Sequence, residues 1–104
     1  MSHVGFAEAM QGVPIELTVV MPCLNEAATI GACIEQVKNT LVRHQISGEV
    51  IIVDNGSSDR SAEIAGSTGA RVIVIEEPGY GNALMGGIGA ARGKYVIIGD
   101  ADGS

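Results

Sequence analysis

Residues 49–59 read EVIIVDNGSSD. Four apolar residues, Val50 to Val53, stand in a row with no polar residue between them. A strand with one wet face alternates apolar and polar. An unbroken β-branched run predicts a strand covered on both faces, as in parallel sheets. The run ends in Asp54, and Asn55-Gly56-Ser57-Ser58 has the composition of a turn. Asp59 or a neighbouring serine then caps a helix through about Ser67, stopped near Gly69.

The same unit recurs on either side. Leu17 to Met21 is a β-rich run closed by Pro22. Asn25 is placed to cap a helix with Glu26 in its first turn and Ile30, Ile34, Val37 and Leu41 at helical spacing. Gly48 ends that unit. Downstream, Arg71 to Ile75 reads as a third strand. About Asn82 to Arg92 reads as a third helix, with Leu84, Ile88 and Ala91 on one face. Gly93 ends it, and Lys94 to Gly99 forms a fourth strand. The order is βαβαβαβ. Right-handed crossovers turn that order into an α/β fold, a parallel sheet with helices on both faces. Residues 1–16 have no clear period and read as a lead-in segment, and 17–104 as one α/β domain.

The totals agree. A chain of 104 residues holds one small domain. Apolar residues make up 46%, but aromatics only 3%, so the core must come from Ile, Val, Leu and Ala. Net charge is −6, and the six basic residues, Lys38, Arg43, Arg60, Arg71, Arg92 and Lys94, are scattered. No basic patch exists to bind nucleic acid through its phosphates. Cys23 and Cys33 have neither zinc-knuckle nor CxxC spacing and are expected as reduced thiols. The first residues lack the pattern of a secretion signal, and no apolar run approaches the roughly 20 residues that span a bilayer. The expected location is cytoplasmic, or the cytoplasmic face of a membrane in a longer parent protein.

Parallel sheets bind ligands beyond the carboxyl ends of their strands. The residues to weigh are therefore Pro22–Glu26, Asp54–Asp59, Glu76–Gly81 and Asp100–Ser104. Asp100 and Asp102, at i and i+2, share a face in an extended segment and can converge on a hard cation such as Mg²⁺. The same residues also suit a solvated turn. Asp54, at a buried strand end, can grip a base or ribose edge, and plain turn and cap chemistry fits that stretch equally. His3 and His44 lie in no strand-end loop, so Cys23 reads as packing rather than as a nucleophile. The stretch Gly79–Gly93 does not complete G-x-G-x-x-G, because the third position falls on Leu84 or Arg92. Gly86, Gly87 and Gly89 suggest close backbone approach to the sheet or to a ligand.

Taken together, VMPCLNE (20–26), IVDNGSSD (52–59), GYGNAL (79–84) with ARGKY (91–95), and DAD (100–102) resemble the family 2 glycosyltransferases. The likeness is greatest to the polyprenyl-phosphate sugar transferases, which include dolichyl-phosphate mannose and glucose synthases. It runs from about Leu17 to Ser104. The resemblance implies the nucleotide-binding half of a glycosyltransferase-A fold. Pro22 and Glu26 would line the nucleoside pocket, with Glu26 near the ribose, and Asp54 and Asn55 would meet the base. Asn25, Gly81 and Ala101 would complete the donor-binding set. Asp100 and Asp102 would form the DxD motif, holding Mg²⁺ or Mn²⁺ against the diphosphate of a UDP- or GDP-sugar.

The resemblance further implies inverting transfer to a lipid-phosphate or glycan acceptor, with a carboxylate base well after the DxD motif. The expectation is a domain truncated after that motif, carrying the donor site and inactive alone. Its exposed sheet edge is expected to invite self-association. A non-catalytic α/β interaction module is the alternative, and a Rossmann-type oxidoreductase a weaker one because of the broken glycine pattern. Two residues depart from the family habit. Asn55 stands where Asp is frequent, and no Lys or Arg lies between Arg71 and Arg92, where many relatives carry a basic residue.

Overall fold

A computed structural model describes residues 14–101. Along the chain run β1 (Leu17–Cys23), α1 (Ile30–Arg43), β2 (Gly48–Asp54), α2 (Ser61–Ser67), β3 (Arg71–Val74), α3 (Tyr80–Ala90) and β4 (Tyr95–Ile98). The strands form one parallel sheet in the order β3-β2-β1-β4. The chain steps outward from β1 to β3, then crosses back to lay β4 on the free side of β1. The order reverses at β1, and open α/β sheets hold their ligand crevices at such a reversal.

The unbroken apolar runs serve two layers. Val19, Met21, Val50 and Ile52 pack with Ile30 and Ile34 of α1 and Ala65 of α2. Val20, Ile51 and Val53 turn the other way and pack with Ala83 of α3. Successive residues of Val19–Met21 and Val50–Val53 therefore meet opposite helix layers, and no polar side chain falls within these two runs. Helix α3 lies close on the sheet because it carries glycine at the contact. A Cβ on Gly87 would run into Val20 Cγ1 and Val53 Cγ2, and one on Gly86 into Ile75. Gly89 faces open space, so close approach explains two of the three helical glycines.

Several boundaries differ from those expected. β1 does not close at Pro22 but continues to Cys23. The Val20 carbonyl accepts the Gly99 N–H, and the Cys23 carbonyl accepts the Asn55 N–H. Alternate residues thus face β4 and β2, and Pro22 falls on the β4 side. β4 ends at Ile98, opposite Val20, so the N–H that proline lacks has no ladder partner to lose. Helix α1 starts only at Ile30, with Thr29 at its cap position, which leaves Asn25 and Glu26 in the preceding loop. α3 begins and ends two residues earlier than its apolar pattern suggests.

At the far end of the sheet a polar cluster secures the return crossing. Glu49 Oε2 accepts the Thr18 hydroxyl at 2.8 Å and the Arg92 N–H at 2.8 Å, and its Oε1 accepts Arg71 Nη2 at 3.1 Å. Arg71 Nη2 also donates to the Ala90 carbonyl, and Thr18 Oγ1 accepts the Gly93 N–H at 2.9 Å. The end of α3 and the entry to β4 are thereby fastened to β1 and β2. Most of the expected lead-in, residues 1–13, lies outside the described residues. Ile15 and Glu16 are tied to the sheet, accepting the N–H groups of Lys94 and Tyr95. Among the described residues β4 is an edge strand, and Tyr95, Val96, Ile97 and Ile98 are all exposed. Among the described residues no helix is long and apolar enough to cross a membrane.

Candidate functional site

The carboxyl ends of β1, β2 and β4 open into a cleft of about 310 Å³. Pro22, Cys23, Leu24 and Glu26 line it from β1 and the loop beyond, and Asn55 from the end of β2. Gly79, Tyr80 and Ala83 contribute the first turn of α3, and Asp100 and Ala101 the segment after β4. Four separate stretches of sequence thus meet in one hollow. Of the residues singled out from the sequence, Pro22, Glu26, Asn55, Asp100 and Ala101 line it. Asn25, Asp54 and Gly81 do not, and Asp102 lies outside the described residues. No Lys or Arg is among the lining residues, and two carboxylates are.

Asn25 is not a helix cap. It adopts a left-handed φ of 54°, which asparagine tolerates better than most residues. Its Oδ1 reaches the loop after β2, accepting the Ser58 N–H at 2.8 Å and the Asp59 N–H at 3.3 Å. Asn55 is likewise committed to the backbone. Its Nδ2 donates to the carbonyls of Ile75 at 2.8 Å and Glu77 at 2.9 Å, and its Oδ1 accepts the Gly79 N–H at 3.0 Å. An aspartate could not donate those two bonds, which gives the amide a physical reason to stand here. Asn55 shapes the loop that carries Gly79 and Tyr80 into the cleft. Gly81, one residue further on, faces open space.

Asp54 is buried at the end of β2, level with Cys23 in the register. Its Oδ2 accepts the Ser57 N–H at 3.3 Å, while Oδ1 has no hydrogen-bond partner among the described residues. A buried carboxylate oxygen left unpaired is costly, so this one favours the arrival of a donor. Burial pushes the Cys23 thiol above its ordinary 9.0, more than hydrogen bonds involving Ser61, Glu26 and Ser57 pull it down. The thiol is therefore protonated at neutral pH, which agrees with a packing role.

The acidic segment after β4 is held from behind. Thr29 Oγ1 donates to the Ala101 carbonyl at 2.7 Å, and Ala101 is buried. This leaves Asp100 exposed at the rim. Among the described residues no three His, Cys, Asp or Glu side chains gather as a metal site. The donor on hand is a hard, accessible carboxylate, which suits a divalent cation that takes its other oxygens from a bound ligand and from water. Sequence reasoning did not single out Thr29 or Ser61, and reached Tyr80 only within the range Glu76–Gly81. The glycine-rich stretch pointed to the region of Tyr80, but nothing local marks Thr29 or Ser61, whose partners are far away in sequence.

Known proteins share this sequence pattern and this fold. The family model described as Glycosyl transferase family 2 matches residues 18–104. The low-salt glycan biosynthesis hexosyltransferase Agl6 of Haloferax volcanii is 49% identical over 86 residues, covering 83% of this chain and 21% of that protein. The dolichyl-phosphate beta-glucosyltransferase of Mus musculus is 32% identical over 102 residues, covering 86% of this chain and 32% of its own length. Among solved structures, glucosyl-3-phosphoglycerate synthase from Mycobacterium tuberculosis, in complex with Mn²⁺, UDP and glucosyl-3-phosphoglycerate, superposes with a TM-score of 0.72 at 31% identity. That match covers 97% of this chain and 39% of the other. The chain therefore spans about a fifth to two-fifths of the proteins it resembles.

Proposed function

The chain belongs to glycosyl transferase family 2, and on that premise we propose that its cleft binds the nucleoside diphosphate part of a sugar-nucleotide donor, as the first half of an inverting sugar transfer. The observation that carries this reading is the convergence of Pro22, Glu26, Asn55 and Asp100 on one hollow. Support comes from the relative that binds Mn²⁺ and UDP and superposes over nearly the whole chain.

Each wall has a task. Pro22 and Leu24 give an apolar side against which a base can lie. Glu26 accepts hydrogen bonds from ribose hydroxyls. Asp54 offers an unpaired oxygen to an N–H of the base, once the ligand or a small shift of the loop brings the two together. The first turn of α3 lines the cleft, and the N–H groups that open a helix favour negative charge. That matters because no cationic side chain lines the cleft. Asp100, with Asp102 next along the segment, would hold Mg²⁺ or Mn²⁺. Such an ion, when bound, offsets the negative charge of a departing diphosphate. Asp100 and Asp102 would hold that ion, and Asn55 fixes the loop that brings Gly79 and Tyr80 to the cleft.

The proposed donor is a UDP- or GDP-sugar, and the proposed acceptor a lipid phosphate or glycan. The setting proposed is the cytoplasm or the cytoplasmic face of a membrane. Calorimetric titration with UDP-glucose and with GDP-mannose, each with and without Mn²⁺, tests the donor site. Binding of one of them that strengthens with Mn²⁺ supports it. A folded chain that binds neither overturns it.

A further inference from the structure

Asn25, Glu26 and Ala27 present three consecutive backbone N–H groups. Each donates to a side-chain oxygen from one short stretch at the start of α2. Asn25 N–H meets Ser57 Oγ at 2.9 Å, Glu26 N–H meets Ser61 Oγ at 2.8 Å, and Ala27 N–H meets Asp59 Oδ2 at 3.1 Å. Asn25 Oδ1 returns the contact, as described above. Asp59 Oδ1 also accepts the Ser61 N–H at 2.9 Å and the Ser61 hydroxyl.

The Ser61 hydroxyl has one proton, and it goes to Asp59, so its lone pairs face the Glu26 amide. The carboxylate of Asp59 only accepts and the Glu26 amide only donates, which fixes the direction of this chain of bonds, and Ser61 is fully buried. A capping serine or aspartate ordinarily satisfies the N–H groups of its own helix. Here Ser57 and Ser61 turn acceptors toward another segment, and Asp59 divides its two oxygens between that segment and its own helix; that segment carries the one carboxylate that lines the cleft from the β1 side.

We propose that Ser61 and Asp59 are positioning residues for the donor. They hold the backbone of Glu26 so that its side chain stands preformed in the cleft. This rests on the cleft being a nucleotide site, as argued above. The ligand then binds a site already ordered rather than one it must order itself. Aspartate is required rather than asparagine, because both oxygens accept. An amide at position 59 would turn a donor toward either Ala27 or Ser61.

The test is a double-mutant cycle on the full chain, with UDP and GDP as probes in the presence of Mn²⁺ and affinities read by calorimetry. The four proteins are the wild type, Ser61→Ala, Glu26→Ala and the double variant. Ser61→Ala is expected to weaken binding roughly five- to tenfold, and to add nothing once Glu26→Ala is in place. Circular dichroism confirms the fold of each variant. Should Ser61→Ala unfold, the exposed Asp59→Asn takes its place in the same cycle with the same expectation. Additive losses, or wild-type affinity in the position-61 and position-59 variants, overturn the positioning role and leave the nucleotide site standing. A wild-type chain that binds neither UDP nor GDP overturns both.

Discussion

The Thr29 hydroxyl donates to the Ala101 carbonyl at 2.7 Å, joining the cap position of α1 to the segment after β4 across 72 residues of sequence. The first helix and the last acidic segment are thus set relative to each other by one side chain. Thr29→Val keeps the shape and removes the donor. It is expected to destabilise the fold by about 1–3 kcal/mol, because the buried Ala101 carbonyl loses its partner. It should also weaken Mn²⁺-dependent nucleotide binding. Denaturant unfolding and calorimetry on the same variant check the two effects, and unchanged values in both would contradict the link.

Two glycines two residues apart on α3, and so on opposite sides of the helix, should respond oppositely to alanine. At Gly87 the new methyl meets Val20 and Val53, so Gly87→Ala should destabilise by about 1–3 kcal/mol through overpacking. At Gly89 it meets open space, and Gly89→Ala should stabilise by up to about 1 kcal/mol through helix propensity. Urea midpoints of the two variants measure the difference in sign.

The acid stability of the chain should carry a signature of Asp59. The Ser61 hydroxyl and the N–H groups of Ser61 and Ala27 hold its carboxyl below the ordinary 3.8. A group whose folded value is depressed stabilises fully above its unfolded value and loses that contribution as pH falls through the folded one. The stability difference between wild type and Asp59→Asn should therefore be constant from neutral pH to about pH 5 and shrink in stronger acid. Thermal unfolding at a series of pH values tests this, and a difference that persists unchanged below pH 3 would contradict it.

Most of the fold is legible in the sequence because its strongest signal is local. The runs at Val50–Val53 and Leu17–Met21 announce strands covered on both faces, and the sheet shows why: successive residues serve opposite helix layers. The strand-end rule then points to the loops that form the cleft. What the sequence hides is pairing over distance. Asn25 looks like a cap because asparagine before an apolar helical pattern ordinarily is one. Its oxygen instead reaches Ser58, 33 residues away. Asn55 lines the cleft, and the sequence does not show that its amide also holds residues 75–79 in place. Pro22 looks like a strand terminator, and only the early end of β4 makes it harmless inside β1.

The edge strand β4 should bring copies of the chain together. Its four apolar residues are exposed on both faces, and its outer backbone groups face no neighbouring strand among the described residues. Sedimentation velocity should show association that grows with concentration. Ile97→Lys should suppress it, since a charge on an edge strand opposes pairing. A monomer at every concentration would contradict this.

Nuclear magnetic resonance gives the sharpest view of the cleft. Amide signals are followed as UDP, and in parallel GDP, is added with Mg²⁺, and trace Mn²⁺ is then exchanged in to broaden nearby signals. A nucleotide–metal site in the cleft predicts shifts at Cys23–Glu26, Asn55 and Gly79–Ala83, with broadening centred on Asp100 and Ala101. The Thr18–Glu49–Gly93 end of the sheet should stay unaffected. Shifts confined to that far end, or broadening that does not centre on Asp100, would contradict a donor site built from these residues.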